Sequence, residues 1–241
     1  MTAQPQGRVV DARRAKERRR TLMAAAALMA STTAAVAARA RLRNWGATED
    51  ETLRRLPGDD FIFDADAATT RAVTVNAPRE EVWRWLVQIG QDRGGWYSYD
   101  WLENLFGLDI HSAHTVRDEW QHLEAGDQVR AAPAGALGMQ DGYVFRVARV
   151  EPGRVLVLRQ RPPVHPWNAT WAFVLVDDVP GSCRLLVRCR AKRTPGLSGR
   201  LAWIGGELMD PVVLVMTRRM LLGIRARSEF AHDQRRRRAL T

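Results

Sequence analysis

The sequence predicts one α+β domain in which a curved antiparallel sheet wraps around a long C-terminal helix. Two observations indicate this fold class. Segments typical of strands, separated by Pro-Gly turns, fill much of residues 126–192, and an apolar stripe at helical spacing follows from about Ser198. A curved sheet that holds one long helix is the simplest arrangement that buries both sets of apolar side chains. The 241 residues suffice for one such domain with a tail at each end.

The elements before the main strand run are short. Residues 45–68, with a Pro-Gly-Asp-Asp turn signal, are predicted to form an irregular lead-in arm. Residues 71–76 alternate apolar and polar side chains as a strand does. Residues 78–89 begin with Pro and two Glu and carry an apolar face at helical spacing, which predicts a helix. After the glycines at 94–95, residues 97–105 are predicted to form a second short helix.

The strand run ends in the clearest alternation of the chain. Strands are predicted at 126–130, 143–150, 155–159, 169–176 and 184–192, with turn residues between the later ones. In the last strand Cys183 to Ala191 supply one apolar face, and three Arg and Lys192 supply the other, so we expect one buried and one solvated face. Cys183 and Cys189 would lie roughly 20 Å apart along this strand, beyond disulfide reach. The long helix that follows is expected to be kinked or divided at Pro211.

Two sequence segments resemble the SRPBCC superfamily of START-like helix-grip proteins. The first is Val73-Thr-Val-Asn-Ala-Pro78 with Glu81-Val82-Trp83, and the second runs from Trp85 to Asn104 through Gly94-Gly-Trp-Tyr-Ser-Tyr. The second segment is similar to an actinobacterial-type subgroup that mostly lacks an assigned activity. The resemblance covers residues 44–230 and implies a START-like helix-grip fold. The superfamily includes polyketide cyclases, lipid-transfer domains, hormone receptors and oxygenase domains, so the fold alone does not fix a function.

The net charge of +10 is concentrated in the two tails. Residues 1–43 carry ten basic and two acidic side chains, and residues 231–241 add four Arg and one Asp. The body, residues 44–230, is close to neutral. Basic tails around a neutral body are typical of contact with an anionic surface, or of simple solvated tails, and we do not expect nucleic acid as a partner.

Residues 21–38 form an uncharged, Ala-rich stretch between Arg clusters. As a helix this stretch would be roughly 27 Å long, just enough to span a hydrocarbon core. We therefore expect a membrane location through this single N-terminal segment, aided by its basic flanks. Two alternatives stay open: a cleaved or exported signal segment, and a helical tail of a cytoplasmic protein.

The predicted ligand contacts are mostly aromatic. The densest cluster follows the two glycines, and an aromatic residue at a cavity mouth gives a ligand both an apolar body and a polar tip. Residues that share one face of the strand at 169–176, and apolar residues of the C-terminal helix, are predicted to form a cavity wall. Ordinary core packing explains many of the same residues. The predicted ligand-binding residues are Trp96, Tyr97, Tyr99, Trp101, Trp120, Trp171, Phe173, Leu208, Val212 and Met216.

Three polar residues are weak catalytic candidates. Asp100 and Glu103, three apart on a predicted helix, have the spacing of an acid/base pair, and His111 is a candidate general base. For each of the three residues, an ordinary surface role is an alternative to the catalytic one. The His and Cys spacings match no metal site, and no phosphate loop or nucleophile elbow is present in the sequence. We therefore expect neither a metal nor a cofactor.

Three functional hypotheses follow. The first is binding or carrying of a small hydrophobic ligand or lipid in an apolar cavity between the sheet and the C-terminal helix. The second, implied by the resemblance, is a polyketide cyclase or dehydratase type of enzyme that uses the same cavity. The third is an accessory protein whose cavity is filled by its own side chains. A catalytic cavity needs at least one buried titratable group with a shifted pKa, whereas a binding cavity does not.

Overall fold

The computed structural model describes almost all of the chain from Arg41 onwards. The described residues are 41–136, 140–162, 164–165 and 167–240, together with 23, 29–31, 33–34 and 39. By its internal contacts the chain divides into Met1–Leu42 and Arg43–Thr241, and the second unit is the one described below.

The described part of this unit contains six strands and four α-helices. In chain order they are α1 (Glu49–Leu53), β1 (Ala67–Val75), α2 (Arg79–Leu86), α3 (Asp100–Leu105), β2 (Gln128–Ala132), β3 (Tyr143–Glu151), β4 (Val155–Gln160), β5 (Asn168–Asp177), β6 (Cys183–Lys192) and α4 (Gly196–Ala239). Two 3-10 turns, Asp59–Ile62 and Asp118–Trp120, complete the list. The predicted strands, the two short helices and the long C-terminal helix are confirmed.

All six strands form one antiparallel sheet in the order β1-β6-β5-β4-β3-β2. β2 to β6 follow one another as a meander, and β1 closes the sheet beside β6. Register shifts near Arg130 in β2 and Val147 in β3 bend this end of the sheet, as an extra residue in one strand does. The sheet is curved and packs against the long helix α4. This is the predicted helix-grip arrangement.

The main core lies on the inner face of the sheet, the face towards α4. Inner-face residues such as Phe173 and Leu185 are fully buried, and they belong to one apolar cluster with Met220, Leu221 and Ile224 of α4. The apolar face of α2 joins the same cluster. Burial of this cluster supplies the main apolar driving force for the fold, at about 25 cal/mol per Å² removed from water.

The outer face of the sheet is covered, so the expectation of a solvated face is wrong. The lead-in arm is not irregular throughout: α1 begins with a capping box in which the Thr48 and Glu51 side chains bond each other's backbone N–H groups. Arg188 of β6 is buried and its Nη1 lies 2.8 Å from Asp59 Oδ2 of the arm. Arg184 likewise lies 2.7 Å from Glu51. The arginines of β6 therefore bind the lead-in arm and do not form a solvated surface.

The first half of α4 differs from the prediction. Leu208 is 71% exposed and Val212 43% exposed, so these two residues do not line a cavity wall against the sheet. Met216, one turn further on, is half-buried. The helix continues through Pro211 without a division and extends to Ala239, which includes most of the predicted C-terminal tail. An apolar stripe fixes which residues share a helix face but not what that face contacts.

The expected membrane location is corrected. Among the residues that the structure describes, no helix is both long enough and apolar enough to cross a bilayer. Most of the predicted segment, residues 21–38, lies outside the described residues.

Candidate functional site

The loop after α2 is fastened to α4 at Tyr97. Its backbone has a positive φ of 56°, and a Cβ added at Gly223 of α4 would lie only 2.2 Å from the Tyr97 carbonyl oxygen. Helix and loop thus touch backbone to backbone. The Tyr97 hydroxyl accepts from Gln88 Nε2 at 2.8 Å and donates to the Trp85 carbonyl at 3.2 Å. Burial raises the Tyr97 pKa, which keeps this hydroxyl protonated.

Five rings on or beside the inner face form a continuous cluster, here called the aromatic wall: Trp96, Tyr143, Phe145, Trp171 and Phe173. Trp96 stacks on Trp171, with ring centroids 5.2 Å apart and planes inclined by 23°. Phe173 lies 5.0 Å and Phe145 5.6 Å from the Trp171 ring. Tyr143 continues the series, 5.3 Å from Phe145. These spacings are typical of offset-stacked and edge-to-face aromatic contacts.

One end of the wall is polar and incompletely hydrogen-bonded. Gln160 Oε1 accepts from the Tyr143 hydroxyl at 2.7 Å and from Trp167 Nε1 at 2.6 Å. Gln160 Nε2 and Trp171 Nε1 are buried without a partner among the described residues. Burial also raises the pKa of Tyr143, so its hydroxyl remains a donor. Buried polar atoms in folded proteins are nearly always paired, which makes this end unusual.

His165 lies beside the same end. Its Nε2 is 2.9 Å from the Val144 carbonyl, and its ring stacks on Trp167. Burial lowers the His165 pKa, so the ring is neutral near pH 7. Because a carbonyl can only accept, Nε2 carries the proton and Nδ1 offers a lone pair. Nδ1 has no partner among the described residues.

Arg71 presents a buried cation at the inner face. It lies in β1 two residues before Val73 and four before Val75, both in the inner core, and it is only 1% exposed. Its Nε has no partner, and no ion pair among the described residues includes Arg71. A buried guanidinium without a counter-charge is costly.

The carboxylates of α3 occupy different environments. Asp100 accepts from both the backbone N–H and the hydroxyl of Ser112, at 2.8 and 2.6 Å. Glu103 is buried, and its Oε2 has no partner among the described residues. Burial, with a contribution from the Asp100 charge, raises the pKa of Glu103 to about 7. The predicted pair is thus one hydrogen-bonded carboxylate and one protonatable group.

The structure brings only some of the predicted site residues together. Trp96, Trp171 and Phe173 meet in the aromatic wall, whereas the Tyr97 ring packs edge-on against Trp85. Tyr99 and Trp120 are half-buried outside the wall, under Arg219 and Arg117 respectively. Two residues lie on the surface: Trp101, which is 69% exposed, and His111, whose Nε2 pairs with Asp109 two residues earlier.

Sequence reasoning missed four residues of this region: Arg71, Tyr143, Gln160 and His165. A usable signal existed for Arg71, because strand alternation places it on the same face as Val73. No group of three or more metal-ligating side chains is found among the residues that the structure describes.

Comparisons with known proteins are distant. No protein-family model and no curated protein matches the sequence. Among solved structures, the chain is similar to the Zhui aromatase/cyclase of a Streptomyces species, with a TM-score of 0.43 and 18% identity over 68% of this chain and 93% of that one. It is also similar to the self-sacrificing resistance protein CalC of Micromonospora echinospora, with a TM-score of 0.41 and 12% identity over 69% and 96%. A di-domain ARO/CYC protein, BexL, gives 0.38 and 14%, over 68% of this chain and 46% of that one. These scores are too low to carry an activity across.

Proposed function

We propose that this protein binds a small hydrophobic molecule or lipid on the inner face of its sheet, against the aromatic wall. The observation that carries the proposal is the wall itself, with two buried N–H groups, Trp171 Nε1 and Gln160 Nε2, that have no partner among the described residues. Ligand sites are typically apolar surfaces with a few convergent polar groups that orient the ligand. A wall that served packing alone would have no use for unpaired N–H groups, because each costs free energy when it is buried.

We further propose that the chain belongs to the SRPBCC superfamily, within the actinobacterial-type subgroup that its residues 85–104 resemble. The ligand-binding domain would then comprise residues 44–230, with residues 1–43 and 231–241 as basic extensions. The helix-grip arrangement of the six strands and α4 supports the superfamily assignment.

A second candidate function is a cyclase or dehydratase type of reaction at the same face. One observation favours it: His165 is neutral, its Nδ1 lone pair has no partner among the described residues, and its ring lies 5.6 Å from the Tyr143 ring, centroid to centroid. A neutral imidazole beside a protonated phenol is a suitable base and acid for moving protons on a carbonyl compound. The predicted candidate His111 is exposed and has no comparable setting.

Equilibrium dialysis of the full-length chain with 2-naphthalenemethanol, a neutral aromatic probe, tests the binding proposal. We expect saturable binding that weakens at least tenfold in Trp171→Phe, because the smaller ring removes stacking area and the indole N–H. The matched control, Trp101→Phe, changes an exposed ring and should bind like the wild type. Native mass spectrometry of the purified protein adds a second measurement, a co-purifying apolar molecule. Absence of both would refute the proposal.

A further inference from the structure

We infer that the inner face holds an anion subsite at Arg71, so that the ligand is an organic acid: one carboxylate joined to an apolar body. This inference rests on the proposed function and names the chemical class of its ligand. It starts from a single contrast. The sheet buries two arginines, one on each face; the outer one is fully hydrogen-bonded, whereas the inner one has an Nε without a partner and no ion pair among the described residues.

The outer-face arginine has hydrogen-bond partners for all three nitrogens of its guanidinium group. Arg188 lies 2.8 Å from Asp59, donates to Thr70 and donates to three backbone carbonyls of the lead-in arm, those of Glu51, Thr52 and Arg54. Arg71, equally buried on the inner face, has an unpaired Nε and takes part in no ion pair of the described residues. The missing partner is a negative charge on the inner side of the sheet.

Nearby groups of the described chain do not supply that charge. Arg71 and Asp210 act in opposite directions on the pKa of the Cys189 thiol, so both lie near this cysteine. Asp210, however, accepts from Arg43 Nε at 2.7 Å, and Arg43 also reaches Glu207 at 3.1 Å. The α4 carboxylates therefore already face a cation of their own. Thr69, across from Cys189, contributes a hydroxyl but no charge.

The remaining unpaired groups agree with an acidic ligand. On the inner face of the strands, the buried polar atoms without a partner in the described chain are Arg71 Nε, Gln160 Nε2 and Trp171 Nε1. All three are N–H donors, so they call for a molecule that accepts hydrogen bonds. A carboxylate accepts at both oxygens and donates none, which suits Arg71; the donors of Gln160 and Trp171 lie at least two strands away and would face another part of the ligand.

The strand register gives the distance from Arg71 to the aromatic wall. Arg71 pairs with Val187, and Val187 pairs with Phe173, so one row crosses β1, β6 and β5. Two strand spacings separate Arg71 from the wall, about 10 Å between Cα atoms. A carboxylate at Arg71 thus places a bicyclic or similarly sized body against Phe173 and Trp171. One guanidinium balances one carboxylate, whereas a phosphate dianion would bring a second, unbalanced charge into the core.

The test compares 2-naphthoate with 2-naphthalenemethanol, which share a ring system and differ in the charged group. Equilibrium dialysis with the full-length chain near pH 7.5 gives both dissociation constants. We expect the wild type to prefer the acid by about tenfold to a hundredfold, the value of a hydrogen bond to a charged group. Arg71→Met should lose this preference and still bind the alcohol. Arg71→Lys, which keeps the charge, should retain part of it.

A thermal-unfolding measurement separates a ligand role from a structural one. Without ligand, Arg71→Met should melt at the same temperature as the wild type or higher, because it removes an unpaired buried charge. Saturating 2-naphthoate should raise the melting temperature of the wild type more than that of Arg71→Met. Arg190→Met, which removes an outer-face cation bonded to Ile62 and Phe63 carbonyls, is the matched control and should keep the acid preference.

Several results would overturn the inference. Equal affinities for acid and alcohol in the wild type would do so, as would an acid preference that survives in Arg71→Met or disappears in Arg190→Met. A clearly lower melting temperature of ligand-free Arg71→Met would make Arg71 a structural residue. Tighter binding of 2-naphthyl phosphate than of 2-naphthoate would replace the carboxylate by a phosphate. Failure of both naphthalene probes to bind would instead contradict the proposed function.

Discussion

Trp96 and Trp171 stack face to face across the inner core, and this contact joins the loop after α2 to the middle of β5. The loop reaches β5 because Gly95, with φ of 71°, turns the backbone immediately before Trp96. A Cβ at Gly95 would lie 2.8 Å from the His111 carbonyl oxygen, so the turn is also tightly enclosed. The stack is therefore both a part of the candidate site and a structural contact.

Trp171→Ala should lower the free energy of unfolding by about 3–5 kcal/mol, because it leaves a cavity among Trp96, Phe145 and Phe173. Urea denaturation measures this change. Trp101→Ala is the control: the exposed ring should contribute less than about 0.5 kcal/mol. An unchanged stability of Trp171→Ala would mean that the wall is not part of the core.

Arg188→Met should cost about 3–5 kcal/mol of stability, since it removes the buried guanidinium 2.8 Å from the Asp59 carboxylate and leaves that carboxylate only the longer, 3.8 Å pair with Arg190. The comparison is Arg149→Met, which breaks the 2.8 Å pair of Arg149 with the exposed carboxylate of Asp60. That loss should stay below about 1 kcal/mol, as it does for surface ion pairs. Similar values for both variants would show that the lead-in arm is only loosely held on the outer face.

Gly223→Ala should destabilise the fold by about 1–3 kcal/mol, because its Cβ would press on the Tyr97 carbonyl oxygen. Gly206→Ala lies in the same helix with open space around the added Cβ. That substitution should instead stabilise by about 0.5–1 kcal/mol, the ordinary effect of Ala in a helix interior. Chemical denaturation of the two variants, side by side, separates close packing from helix propensity. A stabilised Gly223→Ala would show that α4 and the Tyr97 loop are further apart than described.

Glu103 should make stability fall as pH rises. Its pKa is raised to about 7 from an ordinary value of 4.5, so between these values the folded chain holds a proton that the unfolded chain has released. The free energy of unfolding then decreases with pH across this window. Glu103→Gln cannot ionise and should lack the decrease, on the order of 1 kcal/mol between pH 4.5 and 7. Denaturation at the two pH values measures it, with exposed Glu119→Gln as the control. Parallel pH profiles for wild type and Glu103→Gln would contradict a raised pKa.

The strands and helices were accessible to sequence analysis because their patterns are local. β6 alternates without interruption from Cys183, and its predicted limits agree with the observed ones within one residue. Trp171 and Phe173 were placed on the correct face for the same reason. The predicted long helix is likewise confirmed, beginning at Gly196.

What the sequence could not provide were contacts between distant segments. The cover of the outer face depends on Glu51 and Asp59 finding Arg184 and Arg188, which lie more than a hundred residues away. The exposure of Leu208 could not be predicted either, because a helical stripe does not say which surface it meets. That Arg71 Nε has no partner among the described residues can be seen only once its neighbours in space are known.

The covered outer face determines where the chain can be shortened. A fragment that starts at β1 keeps the whole sheet and α4, yet it lacks Glu51 and Asp59. Two cations of β6 would then stand beside Leu186 and Val174, which the lead-in arm now shields from water. We expect such a fragment to aggregate during expression. The smallest piece suitable for crystallisation or directed evolution must therefore begin ahead of α1, at a point that strand boundaries alone would not suggest.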